Sequence, residues 1–279
     1  APPSEAHDAL YRWVTRGELS VDVPARLAVV AEAAQAQSVE SVVRLIADHG
    51  LVREEVPTRF LSESGVWDAL LRSGRGMPLT ALLRNLAKMT SIGLLSSSST
   101  ATRHVYRKLT DGEQLRRARI HPLQVLVALN TYRRGRGVKG KLSWTPDRTV
   151  LKALDKAFEL SFESVPRTGK RHLLAVDVSG SMGWSEIAGM TGITPAIGAA
   201  AMASVTHSVE AACRLTAFST GLTEVKLARE TSLQKVQETF GRIPMGGTDC
   251  AQPMLYALKH RIPVDTFVVY TDSETWHGK

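Results

Sequence analysis

Apolar positions in the first 165 residues recur at the three-and-four spacing of one buried helix face, segment after segment. In SVESVVRLIADHG (38–50), Val42, Leu45 and Ile46 share a side, with Ser38 placed to cap the helix and Gly50 to stop it. MPLTALLRNLAKM (77–89) repeats the pattern through Leu79, Leu82, Leu83 and Leu86. HPLQVLVALNTY (121–132) does so again, and Pro122 suits its first turn. TPDRTVLKALDKAFELSF (145–162) reads as another helix, capped by Thr145 before Pro146. The polar stretches SGRG (73–76), SSSST (96–100) and RRGRGVKGKLSW (133–144) punctuate the array. Paired short helices at a loose spacing of about 40 residues predict a HEAT-type α-solenoid.

The pattern changes after VPRTGK (165–170). RHLLAVDVS (171–179), CRLTAFST (213–220) and DTFVVYTDS (265–273) are short, apolar and β-prone. Between them, helices are predicted over the Ala-rich 195–212, over 231–243 with Thr231 or Ser232 as cap, and over 250–260. Strand, helix, strand, helix, helix, strand implies a parallel sheet with helices on both faces, a Rossmann-like α/β domain. The expected division is therefore 1–167, helical repeats, and 168–279, the α/β domain. Three strands do not complete a doubly wound sheet, and the chain opens inside a helical array. Both parts are expected to be incomplete, and the sequence reads as an interior piece of a larger protein.

Composition narrows the function. Of 279 residues, 43% are hydrophobic and 22% charged, a globular balance that excludes disorder. No apolar run is long enough to span a membrane, the N-terminus lacks the layout of a secretory signal, and Cys213 and Cys250 form neither a disulfide framework nor a CxxC pair. A soluble, cytoplasmic protein is expected. The net charge of +8 is concentrated: residues 101–150 hold 12 Lys and Arg against 3 Asp and Glu, a balance of +9. Such a cluster points to a polyanion site. Its candidate phosphate ligands are Arg107, Lys108, Arg116, Arg117 and Arg119, then Arg133, Arg134, Arg136, Lys139 and Lys141 on a flexible, Gly-spaced loop. Tyr132 and Trp144 flank that loop and either stack on unpaired bases or belong to the core.

The sharpest motif is Asp177-Val178-Ser179-Gly180-Ser181, at the C-terminal end of the first α/β strand, where ligands of open α/β sheets bind. A carboxylate and two hydroxyls at alternate positions present three hard oxygens to one point, which suits Mg²⁺, with Mn²⁺ as the alternative. Thr248 in MGGTD and Asp272 in YTDSE supply two more at equivalent loops. This constellation lies across the domain boundary from the basic stretch, so two separable functions are expected. No phosphate loop, GxGxxG, HExxH or GxSxG is present, and His172 falls at the far end of the strand from Ser179 and Ser181. No enzyme is expected.

D-x-S-x-S with a loop Thr and a strand-end Asp resembles the metal-ion-dependent adhesion site of von Willebrand factor A domains. By that resemblance Ser179, Ser181 and Thr248 touch the cation, and Asp177 and Asp272 hold its waters. The segments LVREEVPTRFL, VWDALL, MPLTALLRNLAKM, ARIHPLQVLVALNTY, GVKGKLSW, VLKALDKAF, TGKRHLLAVDVSGSM, PMGGTDCAQPMLYAL and VYTDSETW resemble a narrower group, the Ro 60 kDa autoantigen (TROVE) family. Excess Arg over Lys and abundant Ala look like a bacterial member. The resemblance implies RNA binding without catalysis. Its members bind Y or Y-like noncoding RNAs on a helical ring, and misfolded RNAs through single-stranded ends. Bacterial relatives are tethered to a 3′ exoribonuclease, polynucleotide phosphorylase, in RNA quality control and decay. The rival reading is a metal-dependent protein-interaction module whose basic surface is incidental.

Overall fold

The computed structural model describes residues 7–18, 20, 24–74, 76–137, 140–229, 231–272 and 275–278. By contacts the chain divides into two compact units, 1–104 and 105–279.

The first unit is helical. It holds α1 (Asp8–Arg16), α2 (Ala25–Gln35), α3 (Val39–His49), α4 (Ser64–Arg72), α5 (Leu79–Ser91) and the start of α6 (Thr100–Leu109). Helix α3 begins and ends where the pattern predicts: the Ser38 hydroxyl accepts from Ser41 N at 3.2 Å, and Gly50 is left-handed at φ 60°. Arg26 ties this end down by donating to His49 O at 2.6 Å and to Glu55. Val42, Leu45 and Ile46 are buried, as are Leu79, Leu82, Leu83 and Leu86 of α5.

The second unit opens with α7 (Gly112–Arg117), α8 (Pro122–Arg133) and α9 (Arg148–Leu160). The cap of α9 is Asp147 rather than Thr145; its carboxylate accepts from Thr149 N at 2.8 Å and Val150 N at 3.1 Å. An Asp carboxylate reaches the free N–H groups of the first turn, whereas Thr145 lies two residues too early, before the proline. After a junction at 165–171 come β1 (His172–Asp177), α10 (Pro195–Val209), β2 (Cys213–Phe218), β3 (Leu222–Glu224), α11 (Leu233–Gly241), α12 (Gln252–Lys259) and β4 (Thr266–Tyr270).

The sheet order is β3-β2-β1-β4. Strand β1 pairs in parallel with β2 and with β4, while β3 returns antiparallel on β2. The expected all-parallel sheet is thus mixed at one edge. β3 escaped the pattern because LTE offers a single apolar residue. Every residue of β1 is buried. Leu174 and Val176 face the Ala-rich α10 and Val236 and Phe240 of α11; Leu173 and Ala175 face the other way, with Phe218 and Ala257 of α12. Small side chains on α10 let that helix approach the sheet closely, so the loops beyond the strand ends start from a rigid base. Helices α7 and α8 both pack on α9, and α8 also packs on α10, which is why the division into compact units falls earlier than the change from helices to sheet.

Candidate functional site

Three loops meet beyond the C-terminal ends of the parallel strands. The first leaves β1 at Asp177, whose side chain is 1% exposed. Its Oδ1 accepts from Ser179 N at 2.7 Å, the local turn that Asp two residues ahead of Ser favours. Its Oδ2 accepts from the Thr271 hydroxyl at 2.9 Å, which ties the β1 end to the β4 end. The Ser179 and Ser181 hydroxyls are 3.2 Å apart. The second loop, 245–249, is anchored by Asp249 N donating to Ser219 O at 3.1 Å, and Thr248 is buried. The third loop follows β4: Trp276 N and His277 N donate to Thr248 O at 3.2 and 3.1 Å. The ring of Trp276 lies close against Gly247, 3.0 Å from where a Cβ would stand, so a larger residue there would have to displace the ring slightly.

The five predicted oxygen donors therefore gather at one end of the sheet. Asp177, Ser179 and Ser181 share one turn; Asp272 follows Thr271, which bonds Asp177; Met245, three residues before Thr248, has its sulfur beside Gly180. Asp272 Oδ1 is buried with no hydrogen-bond partner among the described residues. A buried carboxylate oxygen left unpaired is costly unless a cation or water meets it. Hydroxyl and carboxylate oxygens are the donors that Mg²⁺ takes. Among the described residues no group of three or more His, Cys, Asp and Glu forms, so a thiolate or imidazole centre has no counterpart there. Sequence reasoning missed Thr271, which orients Asp177, and Asp249, whose carboxylate accepts from Ala251 N at 3.0 Å and Gln252 Nε2 at 2.7 Å and so fixes the turn that leads into α12.

The basic stretch is nearer to this turn than its distance along the chain implies. Asn130 Nδ2 of α8 donates to Gly192 O at 2.6 Å, and Arg134 Nη1 lies 3.8 Å from Glu186. Gly192 has φ +81°, and a Cβ there would stand 2.5 Å from Arg134 Nη1 and 2.6 Å from Asn130 Nδ2. The segment that leaves the Ser181 turn is thus seamed to the helix that opens the basic loop. The described parts of that loop pair as a hairpin: Gly137 N donates to Leu142 O at 2.7 Å, Trp144 N to Gly135 O at 2.9 Å, and Arg136 bridges Ser143. The two expected aromatics are core residues. Tyr132 and Trp144 stack on each other with ring centres 6.1 Å apart, and Trp144 Nε1 donates to Tyr132 O at 2.9 Å.

The cations differ in availability. Arg107, Arg116, Arg119, Arg136 and Lys141 are exposed. Arg117 is largely exposed, Arg133 about half and Arg134 less, and the three pair with Glu113, Asp155 and Glu186. Lys108 is half-buried, and burial pushes its ammonium below the ordinary lysine range. Lys139 lies outside the described residues.

Comparison with known proteins fits this architecture. Residues 38–131 match the TROVE domain and residues 171–279 the Ro60 vWA domain. The chain is 38% identical over 278 residues to the RNA-binding protein RO60 of Deinococcus radiodurans, covering 98% of this chain and 52% of that protein. It is 39% identical over 243 residues to the RNA-binding protein RO60 of Caenorhabditis elegans, covering 87% of this chain and 37% of that protein. The crystal structure of the Deinococcus radiodurans Ro (RSR) protein superposes with a TM-score of 0.85 at 38% identity, over 99% of this chain and 56% of that one. The chain belongs to the Ro60 family. It spans about half the length of the bacterial relative, and less of the nematode one. In Ro60 terms, β1 to β4 belong to the vWA domain, and α8 runs to the edge of the TROVE match.

The opposite end of the vWA sheet holds a cavity of about 700 Å³, bordered by His172, His207 and Cys213. Burial pushes the Cys213 thiol up to about 11, the reverse of what a nucleophile needs. Among the described residues no helix is long and apolar enough to cross a membrane.

Proposed function

We propose that this chain is the RNA-holding part of a Ro60-type ribonucleoprotein, without catalytic activity, acting in the cytoplasm on noncoding RNA. The observation that carries the reading is the cluster of exposed Arg and Lys on α6, α7 and the 135–144 hairpin, in a family whose relatives are named RNA-binding proteins. Cations that stand in solvent can exchange counterions for phosphates at little cost. On the family resemblance the RNAs are Y or Y-like RNAs and misfolded RNAs with single-stranded ends, and polynucleotide phosphorylase is the partner in decay. Consecutive helices packing in pairs, α3 with α4 and α8 with α9, favour the HEAT-type array that such a reading needs. Two free cysteines suit a reducing compartment.

The vWA loops are read as a divalent-cation site, Mg²⁺ before Mn²⁺. Ser179, Ser181 and Thr248 would supply hydroxyl ligands, with Asp177 and Asp272 holding its waters, and the buried Asp272 Oδ1, which has no hydrogen-bond partner among the described residues, is the feature that favours this. When bound, the ion supplies positive charge that pins three loops and accepts an anionic oxygen from a partner. Ser179 has the Ser181 hydroxyl as its side-chain neighbour and His172 at the other end of β1, which supports binding rather than nucleophilic chemistry. A filter-binding titration with structured RNA carrying a single-stranded tail tests the reading. Saturable binding is expected; failure to bind tailed RNA at low salt would overturn it.

A further inference from the structure

The basic hairpin has cations but no exposed ring of its own, because Tyr132 and Trp144 are buried against each other. Single-stranded nucleic-acid sites pair a cationic track with aromatic faces on which bases stack. We propose that Trp184 is that face: a base-stacking platform for single-stranded RNA, on the vWA side of the seam. The inference rests on the RNA-binding reading above and adds to it a residue outside the basic stretch.

Trp184 is 85% exposed, so its indole adds little to the core. Its position is nonetheless defined. Trp184 N donates to Ser181 O at 3.0 Å, and the ring edge lies 3.6 Å from where a Cβ on Gly180 would stand. Met245, 74% exposed, puts its sulfur 3.9 Å from the same point and extends the apolar surface. Two residues beyond Trp184, Glu186 pairs with Arg134 at 3.8 Å. Two residues span at most about 7 Å of backbone, so Trp184 stands on the same short segment that Glu186 ties to Arg134 at the start of the basic loop. The Arg134 pairing also offsets the Glu186 carboxylate, the acidic group nearest in sequence, which would otherwise repel phosphate.

The test uses the 279-residue chain as wild type, Trp184→Ala and Trp184→Phe, with a single-stranded oligouridylate and a blunt RNA duplex as probes. Trp184→Ala should weaken oligouridylate binding about tenfold, leave duplex binding and the melting temperature unchanged, and remove part of the tryptophan fluorescence quench. Trp184→Phe, which keeps a ring, should retain most of the affinity. If Trp184→Ala binds oligouridylate as wild type does, while neutralising Arg116, Arg136 and Lys141 weakens it, the platform is wrong and the RNA reading stands. Equal losses for oligouridylate and duplex would also overturn stacking, and an unchanged chain that binds neither probe would overturn both claims.

Discussion

Trp144 is 8% exposed, its ring is stacked on Tyr132, and the Tyr132 hydroxyl in turn accepts from Asp147 N at 3.1 Å. Truncation should therefore act through stability. Trp144→Ala is expected to cost about 3–5 kcal/mol of folding free energy, seen as a lower denaturant midpoint, with RNA affinity intact below that midpoint. Selective loss of RNA affinity at full stability would mean the ring meets RNA after all. Flanking a basic loop made these two aromatics plausible base platforms on sequence alone. What decides is whether each ring has a partner and its polar atom an acceptor, and those come from packing. Cys213 gives a second residue-scale expectation. With its thiol raised to about 11, its thiolate fraction near neutral pH is about a hundredfold below that of an ordinary thiol. Alkylation of Cys213, followed by mass spectrometry, should be correspondingly slow in the folded chain and fast in denaturant.

Helices α3, α5, α8 and α9 were readable because each carries its own apolar face, with Ser38 and Gly50 marking the two ends of α3, whereas α1, α2, α4, α6 and α7 were not singled out. The strand β3 and the seam between α8 and the 184–193 loop were not, because both depend on a partner distant in sequence. Gly192 tests the seam. With φ +81° and two side chains where its Cβ would stand, Gly192→Ala should lower stability by about 2 kcal/mol, whereas alanine at an unseamed surface glycine of ordinary φ should be near neutral. The junction before β1 is held by charge. Glu210 accepts from Thr168 N at 2.6 Å and Gly169 N at 3.1 Å, and the Thr168 N–H above all keeps its carboxyl below the ordinary range. The folded state thus protonates Glu210 at lower pH than the unfolded state does. Its stabilisation is present above the unfolded value of about 4.5 and is lost as pH falls through the folded one. Thermal melts at pH 7 and pH 3 should show a larger acid-induced drop for wild type than for Glu210→Gln.

At the scale of the molecule, two sites expected to be separate lie within one compact unit, joined through Asn130, Arg134, Glu186 and Gly192. The order of residues along the chain places a domain boundary between them; only the fold shows that the boundary is crossed. The seam is made by residues 186–193 and not by the oxygen donors, so the functions should still part on mutation. Ser179→Ala with Ser181→Ala is expected to abolish Mn²⁺ binding measured by calorimetry and to leave RNA affinity within a few-fold of wild type. Equal losses of RNA affinity in this variant and in EDTA-treated wild type would mean that the ion meets phosphate directly. The central claim, however, is that exposed cations of residues 101–150 hold RNA. Arg116, Arg136 and Lys141 are exposed and have no carboxylate partner among the described residues, so each is ready for phosphate. The deciding measurement is the slope of log affinity against log salt for single-stranded RNA, in wild type and in Arg116→Gln/Arg136→Gln/Lys141→Gln. Each lost phosphate contact should remove about 0.7 from the slope, so the triple variant should be flatter by about two units; an unchanged slope would contradict the account and move the RNA surface elsewhere.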